Sequence, residues 1–305
     1  MRNSLLALGF VLAGASPALA TWSVIAVDAR SGQVIIASAT CVRQQGFPQR
    51  KPNPSRDLMD VQAVIVPGVG VAACQAGADN TRENQMLVYA ELKKGTPPTQ
   101  ILELLKQQEA ARKPEALMER RQFGILAIPD GKQITPQNNR AGFNGTSNSR
   151  SSLYFSGQVA PDMFYQVQGN TLLGDAVVYQ AALAFTRAKG TLADHVMAAM
   201  EAADANGGDH RCNCGVSVLD FVPCDNKTAH VAYIAIAEKT DRIGTSHNDG
   251  QYFAYLSVTD DNTKKGESGN PVKTLRQRYD AWVTSGSPRL AAPPPSLFSR
   301  TTSQQ

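Results

Sequence analysis

The chain has 305 residues, of which 42% are hydrophobic and 18% are charged, with 24 glycines and 17 prolines. These proportions exclude a disordered chain, which is poorer in apolar residues and richer in charge, and the length allows a sizeable core. The formal net charge is only +4 and the basic residues are scattered along the chain, so nucleic acid is not an expected partner.

The first twenty residues have the features of a secretory signal peptide. Arg2 supplies the positive charge, Leu5–Ala15 is a short apolar stretch, and Ser16–Ala20 ends in a small-x-small pattern. The apolar stretch is about half of the roughly 20 residues that a membrane span needs, so we expect cleavage rather than anchoring. The sequence therefore predicts a mature chain that begins at Thr21, is periplasmic or secreted, and has no membrane contact after cleavage.

The mature chain opens with patterns that are typical of β-strands. Thr21–Val27 and Val34–Thr40 flank a turn that contains glycine, and each run is rich in β-branched or small residues. Val61–Val66 and Val69–Cys74 flank the turn Pro67-Gly68. Each pair of runs therefore predicts a β-hairpin.

Helical patterns and further strands follow in alternation. The predicted helices are one capped by Asn80 or Thr81, one from Thr99, Leu172–Ala188, one from Thr191, and Pro271–Trp282. The predicted strands are Gln122–Ile128, Phe164–Gln168, Val216–Val222, Val231–Ala237 and Phe253–Val258, and Gln137–Ser152 is predicted as a loop. Because runs of strands alternate with pairs of helices, we expect antiparallel sheets covered by helices rather than a doubly wound parallel sheet.

The sequence predicts one domain over residues 21–285, followed by a disordered tail over 286–305. The tail contains three consecutive prolines and ends in serine, threonine and glutamine, a composition that does not support a packed core. No glycine-rich phosphate-binding motif occurs, so no nucleotide or other cofactor is expected.

Five cysteines remain after cleavage, and an exported protein can form disulfides between them. They are Cys41, Cys74, Cys212, Cys214 and Cys224. The number is odd, so at least one thiol is free or pairs between chains. The spacing of Cys212 and Cys214 does not fit a zinc knuckle, and no metal site is expected. The pairings that we consider are Cys41 with Cys74, and either Cys212 or Cys214 with Cys224.

A mature N-terminal threonine would combine two catalytic groups in one residue. The hydroxyl of Thr21 would lie beside its own α-amine, whose pKa of about 7.7–8.0 leaves part of it unprotonated near neutral pH. The amine can then accept the hydroxyl proton, directly or through water, while the oxygen attacks an amide or ester carbonyl. The alternative is that the cleavage site merely tolerates a small residue at this position.

Several stretches of the chain, in the same order and spacing, resemble the bacterial family known as domain of unknown function 1028. They are Thr21–Ala26, Gly68–Ala76, Arg121–Gly124, Tyr165–Leu172, Gly207–Arg211, Leu256–Asp261 and Asn270–Leu275. That family is assigned to the N-terminal-nucleophile hydrolase superfamily. The resemblance implies an α+β fold, a four-layer αββα sandwich with two antiparallel sheets between helix layers and Thr21 on a central strand.

The resemblance also implies supporting residues for Thr21. Asn170 is a candidate donor to the developing oxyanion, with a turn residue in the left-handed conformation as the alternative. Ser38, Thr40 and Gln75 are candidates for hydrogen bonds to the α-amine, with sheet packing as the alternative.

Asp209 and Arg211 are expected to shape the pocket, Arg211 by binding a substrate carboxylate. A purely structural ion pair between them is the alternative. One departure is that the second strand reads Ala37-Ser38-Ala39 where the proteasome-like peptidases carry an acidic residue. No lysine matches their catalytic-site lysine either, so proteasome-type chemistry is not expected.

Two functions therefore remain open from the sequence. The first is an exported amidohydrolase that uses Thr21 as its nucleophile, acts on a small-molecule or peptide amide and needs no cofactor. The second is a non-catalytic exported binding or structural protein on the same scaffold. The sequence predicts no oligomeric state.

Overall fold

The structure, a computed structural model, describes residues 21–44, 47, 57–77, 79, 81–112, 118–148, 150–215 and 219–291. The strands of this part of the chain are β1 (Thr21–Asp28), β2 (Gln33–Thr40), β3 (Ala63–Val66), β4 (Gly70–Gln75), β5 (Gln122–Ala127), β6 (Arg140–Asn144), β7 (Ser151–Ala160), β8 (Met163–Leu172), β9 (Val231–Ala237) and β10 (Ala254–Thr259). The helices are α1 (Asp57–Gln62), α2 (Glu83–Lys94), α3 (Pro98–Ala110), α4 (Ala176–Arg187), α5 (Leu192–Ala205) and α6 (Pro271–Thr284).

The strands form two antiparallel sheets. One sheet has six strands in the order β10-β9-β2-β1-β8-β7, and the other has four in the order β3-β4-β5-β6. The predicted hairpin of β1 and β2 is confirmed and lies at the centre of the larger sheet. The strand β1 therefore has a hydrogen-bonded neighbour on each side.

The two sheets are stacked between helices, and the strand alternation shows which residues fill each layer. Along β1, Val24 and Ala26 pack in the apolar cluster that also contains residues of α4, α5 and α6. Ile25 and Val27 point the other way and pack against the four-stranded sheet. The outer face of that sheet packs on α2 and α3. The predicted α+β sandwich of two antiparallel sheets between helix layers is confirmed.

Side chains cap the starts of two of the predicted helices. Thr191 and Asp194 form a capping box at the start of α5, in which the Asp194 backbone N–H donates to Thr191 Oγ1 at 3.3 Å and the Asp194 carboxylate accepts from the Thr191 backbone N–H at 2.7 Å. Asn270 caps α6 by accepting a hydrogen bond from the Val272 backbone N–H at 3.0 Å.

Several predicted elements differ from the structure. The helix predicted from Leu172 starts at Ala176, because Leu172 still belongs to β8, and the N-cap of α2 is Arg82 rather than Asn80 or Thr81. The stretch Gln137–Ser152 is not all loop, because it contains β6 and the first residues of β7. Residues 61 and 62 end the helix α1 instead of opening a strand, and residues 219–222 form turns, with 216–218 outside the described residues. The missed strands are half-exposed, so they lack the continuous apolar run that identifies a buried strand.

The ends of the predicted domain are only partly described. Residues 1–20 and 292–305 lie outside the described residues. Within the first residues of the predicted tail, the backbone N–H of Leu290 donates to the Phe253 carbonyl at 2.9 Å. None of the helices in the described ranges combines the length and the apolar character that a bilayer crossing requires.

Candidate functional site

The layer between the sheets changes from apolar to polar along β1, and Thr21 lies at the polar end. In the middle of the strand, Ile25 and Val27 pack among apolar side chains of both sheets. The side chains of Thr21 and Ser23 lie on the same face of β1 because side chains alternate along a strand. Thr21 is paired with Thr40 of β2 on one side and with Asn170 of β8 on the other.

The polar end of this layer is a hydrogen-bonded cluster of side chains from both sheets, which we call the Thr21 cluster. Its members are Thr21, Ser23, Ser38, Thr40, Gln75, Gln122 and Asn170, and all are at most 4% exposed. Buried polar groups cost free energy unless they find partners, so such a cluster persists only where its members satisfy one another.

The contacts of Thr21 itself involve its hydroxyl and its carbonyl. Thr21 Oγ1 donates to Thr40 Oγ1 at 3.4 Å. The side-chain amides of Gln75 and Asn170 both donate to the Thr21 carbonyl oxygen, at 3.0 Å and 3.5 Å. The structure thus brings Thr40, Gln75 and Asn170 into contact with the hydroxyl or the carbonyl of Thr21, and the expected contacts with the α-amine and the oxyanion stay predictions.

Ser38 lies one step further from Thr21. Its hydroxyl donates to the Trp22 carbonyl at 2.7 Å and lies 3.0 Å from the Ser23 hydroxyl. Ser23 in turn donates to the side-chain carbonyl of Gln75. Ser38 is therefore connected to Thr21 through Ser23 and Gln75.

Asn170 is not the left-handed turn residue that we considered as its alternative. It lies within β8, and the positive φ of 55° belongs to the next residue, Thr171. The register between β7 and β8 shifts at this point, where the chain forms a β-bulge. The bulge ends the regular pairing just beyond Asn170, at the same end of the sheet as Thr21.

Gln122 is a central member of the cluster that the sequence analysis did not single out. Its side-chain carbonyl accepts from Gln75 at 2.7 Å and from Asn170 at 3.1 Å, and its amide donates to the Gly169 carbonyl at 2.7 Å. Gln122 of β5 thereby joins the two sheets. The signal in the sequence is a glutamine at an inward position of a strand whose other residues are apolar.

Glycine at position 124 makes room for two more buried glutamines below the cluster. A Cβ atom at Gly124 would lie 2.3 Å from Gln168 Oε1 and 2.5 Å from Gln166 Nε2. Gln166 donates to Gln168 at 3.0 Å, and Gln168 donates to the Ala73 carbonyl at 3.1 Å. The absence of a side chain at Gly124 therefore lets the amides of β8 reach the other sheet.

Asp209 and Arg211 form an ion pair beside the cluster. Arg211 donates from Nε to Oδ1 of Asp209 at 3.0 Å and from Nη2 to Oδ2 at 2.7 Å. Asp209 also accepts from the backbone N–H of Cys41 at 3.0 Å. Asp209 is fully buried, and the Arg211 side chain is 28% exposed.

A disulfide between Cys41 and Cys212 fixes this loop to the end of β2, so the considered pairing of Cys41 with Cys74 is wrong. Cys214 pairs with Cys224, which was one of the two alternatives. Cys74 is the free thiol, and it points from β4 toward α2 and α3, away from Cys41. Burial, with a smaller contribution from the charge of Asp79, raises the pKa of the Cys74 thiol well above its usual range.

One group of potential metal ligands occurs in the described part of the chain, although the sequence predicted none. Ligand atoms of Cys41, Cys212 and His230 lie within 4.8 Å of one another. The two sulfurs are joined to each other, and Nδ1 of His230 is 2.5 Å from Oδ2 of Asp260. Cysteine binds a metal ion as a thiolate, and neither Cys41 nor Cys212 is a thiolate while the disulfide joins them.

The sequence matches the model of a protein family described as Family of unknown function (DUF1028) over residues 21–243. No curated protein sequence matches the chain. Among solved structures, the fold is similar to the crystal structure of protein SPO2555 from Silicibacter pomeroyi, which is also described by the DUF1028 family model. The TM-score is 0.54 at 16% sequence identity, over 88% of this chain and 91% of the other, so the likeness shows the fold alone.

Proposed function

Since the chain belongs to the DUF1028 family, whose description assigns no activity, we propose a function from the geometry around Thr21. The protein is an exported hydrolase of the N-terminal-nucleophile type, which cleaves an amide bond with Thr21 as its nucleophile. The observation that carries this proposal is the Thr21 cluster, a buried set of polar side chains at the start of a central strand.

Removal of residues 1–20 creates the catalytic base. In the full chain the nitrogen of Thr21 belongs to a peptide bond, and after cleavage it is a primary amine with a pKa of about 7.7–8.0. Two observations support cleavage at this bond. The family match starts at Thr21, and the preceding residues carry the pattern of a signal peptide.

The reaction then follows from the chemistry of one residue. The α-amine takes the proton from Thr21 Oγ1, and the oxygen attacks the substrate carbonyl to form a tetrahedral intermediate. The intermediate collapses to an ester on Thr21, and the leaving amine departs with the proton that the α-amine held. Water, deprotonated by the same amine, hydrolyses the ester and releases the acid.

The neighbours of Thr21 have separate roles in this mechanism. Thr40 accepts the hydroxyl of Thr21 and so orients it, and Gln75 holds the Thr21 carbonyl, which fixes the backbone that carries the amine. The amide of Asn170 makes the longest of these contacts, at 3.5 Å. The same amide donates to Gln122 at 3.1 Å, and we assign it to the oxyanion, where a donor of this kind contributes about 2.7–4 kcal/mol.

Two residues at the edge of the cluster recognise the substrate. Asp209 holds the guanidinium of Arg211 in place. The Arg211 side chain, which is 28% exposed, binds a carboxylate on a small-molecule or peptide amide. Ser38 supports the cluster through Ser23. Both disulfides fit an oxidising compartment, which supports a periplasmic or secreted location.

The proposal requires that processing uncovers the nucleophile, because Thr21 is only 2% exposed in the full chain. Two cavities of about 490 Å³ and 230 Å³ lie elsewhere, one beside Asp204 and Thr228 and the other beside Phe155 and Tyr179, and neither is lined by Thr21. The same burial favours the second candidate, a non-catalytic exported binding or structural protein in which the Thr21 cluster holds the sheets together.

Two measurements separate these candidates. Intact-mass analysis of the exported protein gives the mature N-terminus, and a start at any residue other than Thr21 excludes the N-terminal nucleophile. The processed protein is then incubated with mixtures of N-acyl amino acids and short peptides, and hydrolysis is followed by mass spectrometry. Hydrolysis that Thr21→Ala abolishes and Thr21→Ser retains in part supports the enzyme, whereas no hydrolysis, or hydrolysis unchanged in Thr21→Ala, supports the non-catalytic protein.

A further inference from the structure

The outer edge of β7 differs from two other sheet edges of the molecule. At the opposite edge of the same sheet, Leu290 covers β10, because its backbone bonds to Phe253 at 2.9 Å and to Tyr255 at 3.2 Å. At the edge of the smaller sheet, Ile65 of β3 donates to the His247 carbonyl at 2.8 Å. Among the described residues, the only strand paired with β7 is β8.

The sequence of β7 lacks the features that usually protect an edge strand. Its ten residues, SSLYFSGQVA, contain no charged residue and no proline. Lysine, proline and short length are the common means by which proteins prevent an edge from pairing with another chain. Tyr154, Phe155 and Val159 of this strand are nevertheless 41%, 41% and 37% exposed. The strand is therefore suited to pairing rather than protected from it.

The exposed apolar surface continues from β7 onto α4, and we call Phe155, Tyr179 and Leu183 the β7–α4 patch. Tyr179 is 52% exposed, and its ring packs edge-on against Phe155 with centroids 6.2 Å apart. A cavity of about 230 Å³ opens between these side chains and Tyr165. Contiguous apolar surface of this kind marks an interaction site.

We propose that the β7–α4 patch binds the same patch of a second copy of this chain, with the two β7 strands paired antiparallel about a twofold axis. The charges at the two ends of the strand identify this occupant. Arg150 precedes β7 and Asp162 follows it, and both are exposed and form no ion pair within the described ranges. Antiparallel pairing brings Arg150 of each copy toward Asp162 of the other, whereas parallel pairing would place like charges together.

The symmetry also selects the register. With a twofold axis perpendicular to the sheet, the helices of both copies lie on the same side of the joined sheet. Two residues that face each other across the new strand pair must then both be odd-numbered or both be even-numbered. Between Leu153 and Gln158 the pairing of β7 is regular, and the register shifts between Gln158 and Ala160. Centring the axis on Ser156 places Phe155 opposite Gly157 of the other copy, beside the Tyr165 ring that lies over Gly157, and brings Arg150 toward the turn that carries Asp162. Centring it on Phe155 would instead place the two Phe155 rings directly opposite each other.

The first test is a charge exchange in the processed protein, read by sedimentation velocity over a dilution series. The wild type is expected to sediment as a dimer that dissociates on dilution. Arg150→Glu and Asp162→Arg are each expected to shift the dimer toward monomer, and the double variant is expected to restore it. A monomeric wild type at all concentrations, or a dimer unaffected by either single change, would overturn the proposal.

The second test is a crosslink that reads the register. In Ser156→Cys the two new thiols lie opposite each other, at a Cα separation of about 5.5 Å that a disulfide can bridge. In the control, Gln158→Cys, the two thiols lie about 13 Å apart along the strands. Oxidation is expected to give covalent dimers of Ser156→Cys and none of Gln158→Cys. Equal crosslinking of both variants, or none of Ser156→Cys, would contradict this arrangement.

Discussion

Thr21 and Thr40 face each other across the pair of β1 and β2, and the hydroxyl of Thr21 donates to that of Thr40 at 3.4 Å. The proposed mechanism uses this contact to orient the nucleophile. We expect Thr40→Val to slow acylation of Thr21 about tenfold, which corresponds to about 1.4 kcal/mol in the barrier. Thr40→Ser keeps the hydroxyl and should retain the rate. Single-turnover acylation rates measure both, and equal rates for Val and Ser would contradict this role.

Gly124 allows Gln166 and Gln168 to lie between the sheets, so its substitution tests the packing below the Thr21 cluster. Because an added Cβ would lie 2.3 Å from Gln168 Oε1, Gly124→Ala should lower the free energy of unfolding by about 1–3 kcal/mol. Gly174 has no heavy atom near its added Cβ, and Gly174→Ala should stay within about 0.5 kcal/mol. Urea unfolding measures both, and equal losses would argue against the steric explanation.

Asp260 predicts a pH dependence of stability. Burial alone would raise the pKa of Asp260, but hydrogen bonds from His230 and Lys227 outweigh it and hold that pKa below its usual value. A carboxyl whose pKa is lower in the folded state stabilises that state at any pH above its pKa in the unfolded chain, about 3.9. This stabilisation is lost as the pH falls through the pKa of the carboxyl in the folded state.

Asp260→Asn leaves the ammonium of Lys227, which is fully buried, without its anionic partner. We expect a loss of about 3 kcal/mol in unfolding free energy at pH 7. The difference from the wild type should shrink as the pH falls below about 4. Asp175→Asn is the control, because Asp175 is exposed and caps α4 without a side-chain hydrogen bond. A loss that is independent of pH would contradict the assignment.

The two disulfides should differ in their contribution to stability. Cys41 and Cys212 are 171 residues apart, and Cys214 and Cys224 are 10 apart. The chain-entropy relation assigns about 5 kcal/mol to the long loop and about 3 kcal/mol to the short one. Denaturant unfolding of the two double-serine variants should therefore show the larger loss for Cys41→Ser with Cys212→Ser. The reverse order would indicate that structure within the unfolded chain outweighs the loop entropy.

The sequence predicted the parts of the fold that depend on local patterns. The run Val231–Ala237 is apolar throughout and is a strand buried on both faces. The helix predicted from Thr191 forms because Thr191 and Asp194, the partners of its capping box, lie within one turn. By contrast, β6 and β7 lie at sheet edges, and their mixture of exposed and half-buried residues lacks a strong alternation.

The candidate site also contains some contacts that local sequence could predict and others that it could not. The pairing of Thr21 with Thr40 follows from a short hairpin, so it was accessible from neighbouring sequence. The contacts of Asn170 and Gln122 join residues 48 positions apart on different sheets, and no local pattern determines such a contact. The pairing of Cys41 was mispredicted for the same reason, since its partner depends on where the loop of Asp209 docks.

The central claim is that Thr21 is an N-terminal nucleophile, and covalent labelling tests it most directly. The processed protein is treated with an electrophile that acylates hydroxyl groups, such as a β-lactone, and the adduct is located by tandem mass spectrometry. We predict one ester on the Thr21 side chain, absent in Thr21→Ala and formed more slowly in a correctly processed Thr21→Ser. Labelling at other residues only, or labelling that persists unchanged in Thr21→Ala, would contradict the claim.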